Sequence, residues 1–279
     1  MPIHDQGYRR YAGGRDATGL AWLVIARAGI KTMLSKRLFL GLLLFSYGPF
    51  LVRCVQLYLS TNFSQVAFLA PTAQTFREFL EQQEIFIFFI TIYVGAGLIA
   101  NDRRANALQI YLSKPLTRVE YVAGKATTLA IFLLAATWLP AMLLLFMQIM
   151  FAGSFAFVQK NAFLFPAITV YAFLQVILAT FAMLALSSLS KSARFVGIMY
   201  AGVIFFTDAI FGMLKYVVKA GGASVVSPTQ SLAQLGDVIF RVPPRHDTPI
   251  AFSLAVVVIM VAGSLLILER RIRGVEVVV

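Results

Sequence analysis

The chain has 279 residues, of which 59% are hydrophobic and only 13% are charged, with a mean hydropathy of +0.82. Soluble domains carry about a quarter charged residues, so this composition excludes an ordinary soluble domain and indicates a polytopic membrane protein. The formal net charge is +12. The basic residues stand in short runs beside apolar segments, which is typical of topology signals and lipid contacts rather than of nucleic-acid binding.

The first 37 residues predict a tail followed by an interfacial helix. Residues 1–17 lack hydrophobic periodicity and show no apolar core with a cleavage site, so we expect a loose polar tail and no signal peptide. From Leu20 to Leu34 apolar and basic residues recur on different faces of a helix, which is typical of a helix lying in the membrane interface. The predicted apolar face consists of Leu20, Leu23, Val24, Ile30, Met33 and Leu34.

Six apolar segments follow, and each approaches or exceeds the ~20 residues that a membrane-spanning helix requires. Residues 75–84 have a helical pattern and extend the short second segment outward. No alternation typical of a barrel is present, so we predict an all-α polytopic membrane protein with one membrane domain over 1–279 and six transmembrane helices within 38–268. The segments are Leu38–Leu59, Ile85–Ala100, Ala126–Phe151, Phe163–Leu189, Phe195–Val218 and Ile250–Leu268.

The distribution of lysine and arginine predicts the orientation. Seventeen of these residues lie in four places: residues 1–37, the loop after segment two, the loop after segment four, and the residues after 268. The three remaining loops together hold five. Because basic loops stay in the cytoplasm, we expect both termini, including 269–279, to be cytoplasmic. The last external loop, Lys219–Pro249, contains a helix-like stretch over Thr229–Phe240, and either a partly re-entrant cap or an ordered surface loop would fit it.

The polar, basic stretch from Asn101 to Lys125 interrupts the apolar segments and has its own pattern. Residues 101–112 predict a helix, and Lys114-Pro115 predicts its end, because proline lacks an amide donor and disfavours helix in the residue before it. Thr117 and Glu120 have the spacing of a capping box, and Leu116 and Tyr121 have that of a hydrophobic staple. We therefore expect a short helix, a sharp corner and a firmly started third membrane helix.

This stretch resembles the signature of type-2 ABC transporter permeases. Asp102 and Leu108 match an acidic and a leucine position, Ser113-Lys114-Pro115-Leu116-Thr117-Arg118 matches the central motif, and Gly124-Lys125 matches its end. Asn106-Ala107 departs from the usual Gly-Thr. The six segments, the interfacial helix and the long last external loop extend the resemblance along nearly the whole chain.

The resemblance implies that residues 102–112 form a coupling helix that docks in a cleft of a separate ATP-binding subunit, assisted by the interfacial helix. Arg118 and Lys125 lie seven residues apart on one helix face, where contact with lipid phosphates, with the ATPase or with water alone is possible. The candidate coupling residues are Asp102, Arg103, Arg104, Leu108, Tyr111, Leu112, Lys114, Pro115, Arg118, Glu120 and Lys125.

The chain lacks the motifs of a nucleotide-binding or catalytic subunit. A Walker A motif would require glycine at Val119 and serine or threonine at Ala126, so Gly124-Lys125 is not a phosphate loop. No histidine, nucleophile or carboxylate constellation indicates catalysis, and the lone cysteine, Cys54, excludes a cysteine-cluster metal site. We expect ATP and magnesium to be bound by the partner ATPase and no cofactor by this chain.

Three charged residues fall inside the apolar segments, where charges are costly and usually face protein or water. Arg53 is expected near the outer end, where its side chain can extend to the interface. Asp208 is more central, and we hypothesise that it faces the translocation pathway or pairs with Arg53 or Lys215. Segment five is also rich in phenylalanine, which suits a hydrophobic or amphipathic cargo. The residues are Phe205, Phe206 and Phe211.

Together these features predict the permease subunit of an ATP-driven ABC exporter in a bacterial or archaeal plasma membrane. Six spans form half of a pathway, so a second copy or a paralogue is expected, with membrane lipids around it. A polytopic membrane enzyme, or a non-ABC channel or structural subunit, is the alternative.

Overall fold

A computed structural model describes residues 20–63, 70–107, 116–152, 157, 159, 161–219 and 222–272. Over these residues the protein is helical and contains no strand. Six helical segments in this part of the chain are long and apolar enough to cross a membrane, which confirms the predicted all-α polytopic fold. We call them spans one to six: Arg37–Asn62, Ala73–Arg104, Arg118–Ala152, Leu164–Leu189, Ala193–Val218 and Ile250–Arg271.

Four spans are interrupted, and each interruption has a local cause. Pro49 begins the second half of span one, and Pro140 lies at the start of the second half of span three, where the missing amide donors bend the helix. Spans two and five contain π-helical turns instead. The pieces are Arg37–Phe45 and Gly48–Asn62; Ala73–Gln82, Glu84–Ile90, Thr91–Gly95 (π) and Gly97–Arg104; Arg118–Ala136 and Trp138–Ala152; and Ala193–Gly212 and Met213–Val218 (π).

The break in span two is held by a side chain from span four. The Ser187 hydroxyl accepts hydrogen bonds from the amides of Ile99 and Ala100 at 3.1 and 3.0 Å and donates one to the Ala96 carbonyl at 2.9 Å. Ser187 is fully buried, so these bonds satisfy polar groups that water does not reach. The inner part of span two is therefore fixed against span four.

Spans two, three and four form the centre of the bundle, and half or more of each is buried. Spans one, five and six lie outside them and are mostly exposed. One hydrophobic cluster, around Ile99 and Tyr121, lies toward the end of the bundle that carries the 101–125 stretch, which we call the basic end. A second cluster, around Phe76 and Tyr171, lies toward the opposite end, which we call the cap end.

The helix predicted at Leu20–Leu34 is present as Ala21–Leu34, and it packs along the first half of span three. On its predicted apolar face, Leu20, Leu23, Val24 and Leu34 are about half exposed or more on the outside of the bundle. The packed face instead carries Ala26, Gly29 and their neighbours Ile25, Ile30 and Met33. Small residues allow close approach to span three, so the helix packs on the bundle through a face different from its most exposed apolar one.

The predicted helix in the last long loop is confirmed as Pro228–Ile239, which we call the cap helix. Ser227 caps it by accepting a hydrogen bond from the Gln230 amide at 3.2 Å, and Pro228 occupies the first turn. Most of its residues are buried against spans four, five and six. This helix therefore folds into the bundle as a cap, whereas most of the residues that follow it up to Pro249 are exposed.

Candidate functional site

The two ends of the 101–125 stretch are joined by a compact polar cluster, which we call the latch. Asp102 lies near the end of span two, and its carboxylate accepts a hydrogen bond from the Tyr121 hydroxyl at 2.7 Å. The ammonium group of Lys125 lies 2.7 Å from the same oxygen. Tyr121 and Lys125 are four residues apart on span three, so one helix face presents both groups to Asp102.

The latch gives Lys125 a partner that the sequence did not indicate. Its side chain is only 13% exposed and is paired with Asp102. Arg118, which lies seven residues or two helical turns before Lys125, is exposed as expected. Asp102 and Lys125, two positions of the motif, therefore form an ion pair within this chain.

Gly124 makes room for the amphipathic helix beside the latch. A Cβ atom at this position would lie 2.7 Å from the Trp22 carbonyl oxygen and 2.8 Å from the Ile25 Cβ atom. Approach this close is possible only without a side chain, so Gly124 positions the amphipathic helix against the start of span three.

The start of span three has the predicted capping box. The Thr117 hydroxyl accepts from the Glu120 amide at 3.2 Å, and the Thr117 amide donates to the Glu120 carboxylate at 2.9 Å. Tyr121 is fully buried, and Leu116 packs against the same hydrophobic cluster. These contacts agree with the predicted staple.

The predicted helix over 101–112 is present at 101–104, as the end of span two, and is interrupted after them. The helix of span two ends at Arg104, and Asn106 has a left-handed backbone with φ of 53°. Asparagine adopts this conformation more readily than other residues with a side chain, which explains how it replaces the usual glycine of the motif. Leu108, Tyr111, Leu112, Lys114 and Pro115 lie outside the described residues.

Two arginines precede this turn. The Arg103 guanidinium donates a hydrogen bond to the Ser188 carbonyl at the end of span four, whereas Arg104 is exposed. The structure thus brings Asp102, Lys125 and Tyr121 together, ties Arg103 to span four, and leaves Arg104 and Arg118 at the surface.

The three charged residues predicted inside the spans do not form one cluster. Arg53 lies 3.2 Å from Glu78 and donates to Gln56 at 2.8 Å. Asp208 accepts from the hydroxyls of Ser227 and Thr229 at the start of the cap helix, and among the described residues no lysine or arginine lies within 4 Å of it. The suggested pairing of Asp208 with Arg53 or Lys215 is therefore wrong; Lys215 instead lies over the rings of Phe211 and Tyr216.

Asp208 lines a cavity of about 670 Å³ between spans two, four, five and six and the cap helix. The wall is mostly apolar and aromatic, with polar residues at Glu84, Gln175 and Asp208 toward the cap end. Phe205 lines this cavity, whereas Phe206 is 67% exposed outside it and Phe211 packs against His246. Sequence reasoning missed Glu84 and Gln175, although a polar residue inside an apolar segment is a usable signal.

A network of four charges, two of them buried and two partly exposed, holds the cap in place. Arg77 is 1% exposed; its guanidinium lies 3.0 Å from Asp237 and 3.3 Å from Glu81 and donates to the Ala233 carbonyl at 2.7 Å. Arg245 binds the same two carboxylates, at 2.8 Å for Asp237 and 2.9 Å for Glu81. These hydrogen bonds and opposite charges, that of Glu81 first, raise the pKa of the Arg245 guanidinium.

No site for a metal ion is present among the residues that the structure describes, since no three His, Cys, Asp or Glu side chains lie close enough together. The arrangement at the basic end is suited to a mechanical role: a short loop has both ends fixed to each other and to spans three and four. The arrangement at the cap end is suited to enclosing an apolar ligand.

These features define a six-span helical membrane protein with a loop clamped between spans two and three. A family model for ABC-2 family transporter proteins matches residues 24–271, nearly the whole chain. The chain therefore belongs to the ABC-2 transporter family, as the 101–125 stretch predicted, and is a membrane permease of an ABC transporter. Members of this family are transport components rather than enzymes and work in general with an ATP-binding partner subunit. No curated protein sequence matches the chain.

Proposed function

We propose that this chain is one membrane half of an ATP-driven exporter in a bacterial or archaeal plasma membrane, with both termini in the cytoplasm. A second copy or a paralogue completes the pathway, and two ATP-binding subunits hold ATP and magnesium. The loop over residues 105–117 is the coupling element that receives their movement.

The latch is the observation that carries this proposal. A loop that receives force must pass it to the membrane helices, and Asp102 binds span three directly through Tyr121 and Lys125. Arg103, at the end of span two where this loop begins, connects that end to span four. Displacement of the loop would therefore move spans two, three and four together, and alternating access of the two membrane halves would follow.

The test is copurification with the ATPase. The chain is affinity-purified from its native membrane, and a Walker A subunit and ATP hydrolysis are measured in the purified material. We expect stoichiometric copurification for the wild type and its loss in the triple variant Leu108→Ala, Tyr111→Ala and Leu112→Ala.

A matched triple variant at the cap end, Tyr216→Ala, Val217→Ala and Val218→Ala, removes three exposed apolar side chains and should keep the partner. Retention of the ATPase and of coupled hydrolysis by the 108/111/112 variant would contradict the coupling role. ATP-dependent accumulation of a substrate in inside-out vesicles would support the direction of export, and ATP-dependent release from them would contradict it.

A further inference from the structure

The cavity beneath the cap helix has a polar end and an apolar end. Glu84, Gln175 and Asp208 line it toward the cap end, close to Thr229 of the cap helix. The wall continues along span four from Gln175 to Leu186 and along span six from Ile259 to Ile267. At 1.5 Å per residue, the stretch of span four alone covers about 16 Å.

The polar end carries hydrogen-bond acceptors, including two carboxyl groups. Among the described residues, no lysine or arginine lies within 4 Å of the Glu84 or Asp208 carboxylates. Glu84 has only two long contacts, from the Tyr171 hydroxyl and the Gln175 amide, each at 3.4 Å. The nearby charges of Arg77 and Arg245 are already matched by Glu81 and Asp237, so they leave the two cavity carboxylates without a cation.

Gln175 supplies an independent sign of a missing donor. Its side chain is only 2% exposed, and the Oε1 atom has no hydrogen-bond partner among the described residues. The orientation of the amide is set by Nε2, which donates to the Leu80 carbonyl at 3.3 Å and to Glu84. A buried acceptor without a donor is unfavourable, and because this atom has almost no accessible surface, a ligand with N–H groups would bind it after the amide turns toward the cavity.

The rest of the wall is suited to a hydrocarbon chain. Phe88 packs against Tyr200 and Phe205 with ring centroids 5.9 and 5.4 Å apart, and all three line the cavity. Aromatic faces attract cations as well as apolar groups. The cavity volume lies within the range of small-molecule sites.

We propose that this cavity binds a protonated amphiphilic amine, with its ammonium group at Glu84, Gln175 and Asp208 and its alkyl chain along spans four and six. Binding is a property of this chain alone. The further statement that such amines are the transported substrates rests on the proposed function as an exporter.

The test uses the purified chain in nanodiscs without ATP or ATPase. A photoreactive long-chain alkylamine labels the protein, labelled positions are mapped by mass spectrometry, and dodecylamine, dodecanol, dodecanoate and dodecyltrimethylammonium compete. We expect labelling around Leu186 and Ile267, with dodecylamine competing about tenfold better than the other three, because charged hydrogen bonds contribute at least this factor. Equal competition by the alcohol, the carboxylate or the trimethylammonium compound would overturn the proposal.

Two charge variants locate the head group. Glu84→Gln and Asp208→Asn should each reduce the preference for the amine severalfold toward that for the alcohol. Glu78→Gln and Asp247→Asn make the same changes outside the cavity and should leave the preference unchanged. Melting temperatures confirm that each variant is folded, and an unchanged preference in both folded cavity variants would contradict the proposal.

Two glycine variants locate the alkyl chain. Gly263 lines the cavity and Gly202 does not, and a Cβ atom at either position would meet no other atom within 4 Å. Gly263→Leu should therefore weaken labelling severalfold, whereas Gly202→Leu should not, and equal labelling would overturn the placement. Failure of these binding results leaves ATPase copurification unaffected, so the two proposals can fail separately.

Discussion

Gly236 lets the cap helix pack closely against Arg77 and Tyr171. A Cβ atom there would lie 2.6 Å from Arg77 Nε and 2.7 Å from the Tyr171 ring. Neither neighbour can easily move, because Arg77 is held by two carboxylates and its guanidinium lies 4.9 Å from the Tyr171 ring centroid.

Gly236→Ala should therefore lower the free energy of unfolding by about 1–3 kcal/mol, as overpacking in a tight core usually does. The measurement is the thermal melting of the purified chain. Gly212→Ala is the control, since its Cβ atom would meet nothing within 4 Å and alanine favours helix, so stability should be unchanged or slightly higher. A melting temperature for Gly236→Ala equal to that of the wild type would show that the cap can move away.

At the residue scale, the sequence indicated which charges enter the membrane but not their partners. Arg53, Asp208 and Lys215 stood out because their neighbours are apolar, and they do lie within the spans. Asp237 lies 160 positions from Arg77, and Ser227 lies 19 positions from Asp208, so these pairs depend on how the helices pack. Such distant pairs have no local pattern that a single sequence could reveal.

At the element scale, the capping box is the feature that fixes the start of span three. Thr117→Ala removes the hydroxyl that accepts from the Glu120 amide and should lower the free energy of unfolding by about 1 kcal/mol. Thr117→Ser keeps a hydroxyl and should retain most of the stability that Thr117→Ala loses. Thermal melting of both variants provides the measurement, and equal stability of alanine and serine variants would indicate that the cap contributes nothing.

Local elements were predicted well because their causes are local. The capping box, the cap helix and the extension of span two each depend on residues within a few positions of one another. The interruption of the predicted 101–112 helix before Asn106 and the packing of the amphipathic helix on span three were not predicted. The first depends on a single left-handed residue, and the second on small residues that permit contact with span three.

At the scale of the whole molecule, the proposed orientation can be tested with single cysteines. Cys54 is the only cysteine, so Cys54→Ala provides a cysteine-free background. Ala162→Cys and Asp247→Cys, exposed in the loops after spans three and five, should react with a membrane-impermeant maleimide in intact cells. Lys191→Cys, in the loop after span four, should react only after permeabilisation, and the reverse pattern would exclude cytoplasmic termini.

The four charges of the cap also have a consequence for variation among relatives. Glu81 and Asp237 each serve both Arg77 and Arg245, so the loss of any one side chain leaves charge unmatched in a largely buried place. A lineage that changes one of these four positions should therefore change a second, or replace all four with apolar residues. Covariation of positions 77, 81, 237 and 245 would indicate that selection keeps the four side chains together because they hold the cap helix on the bundle.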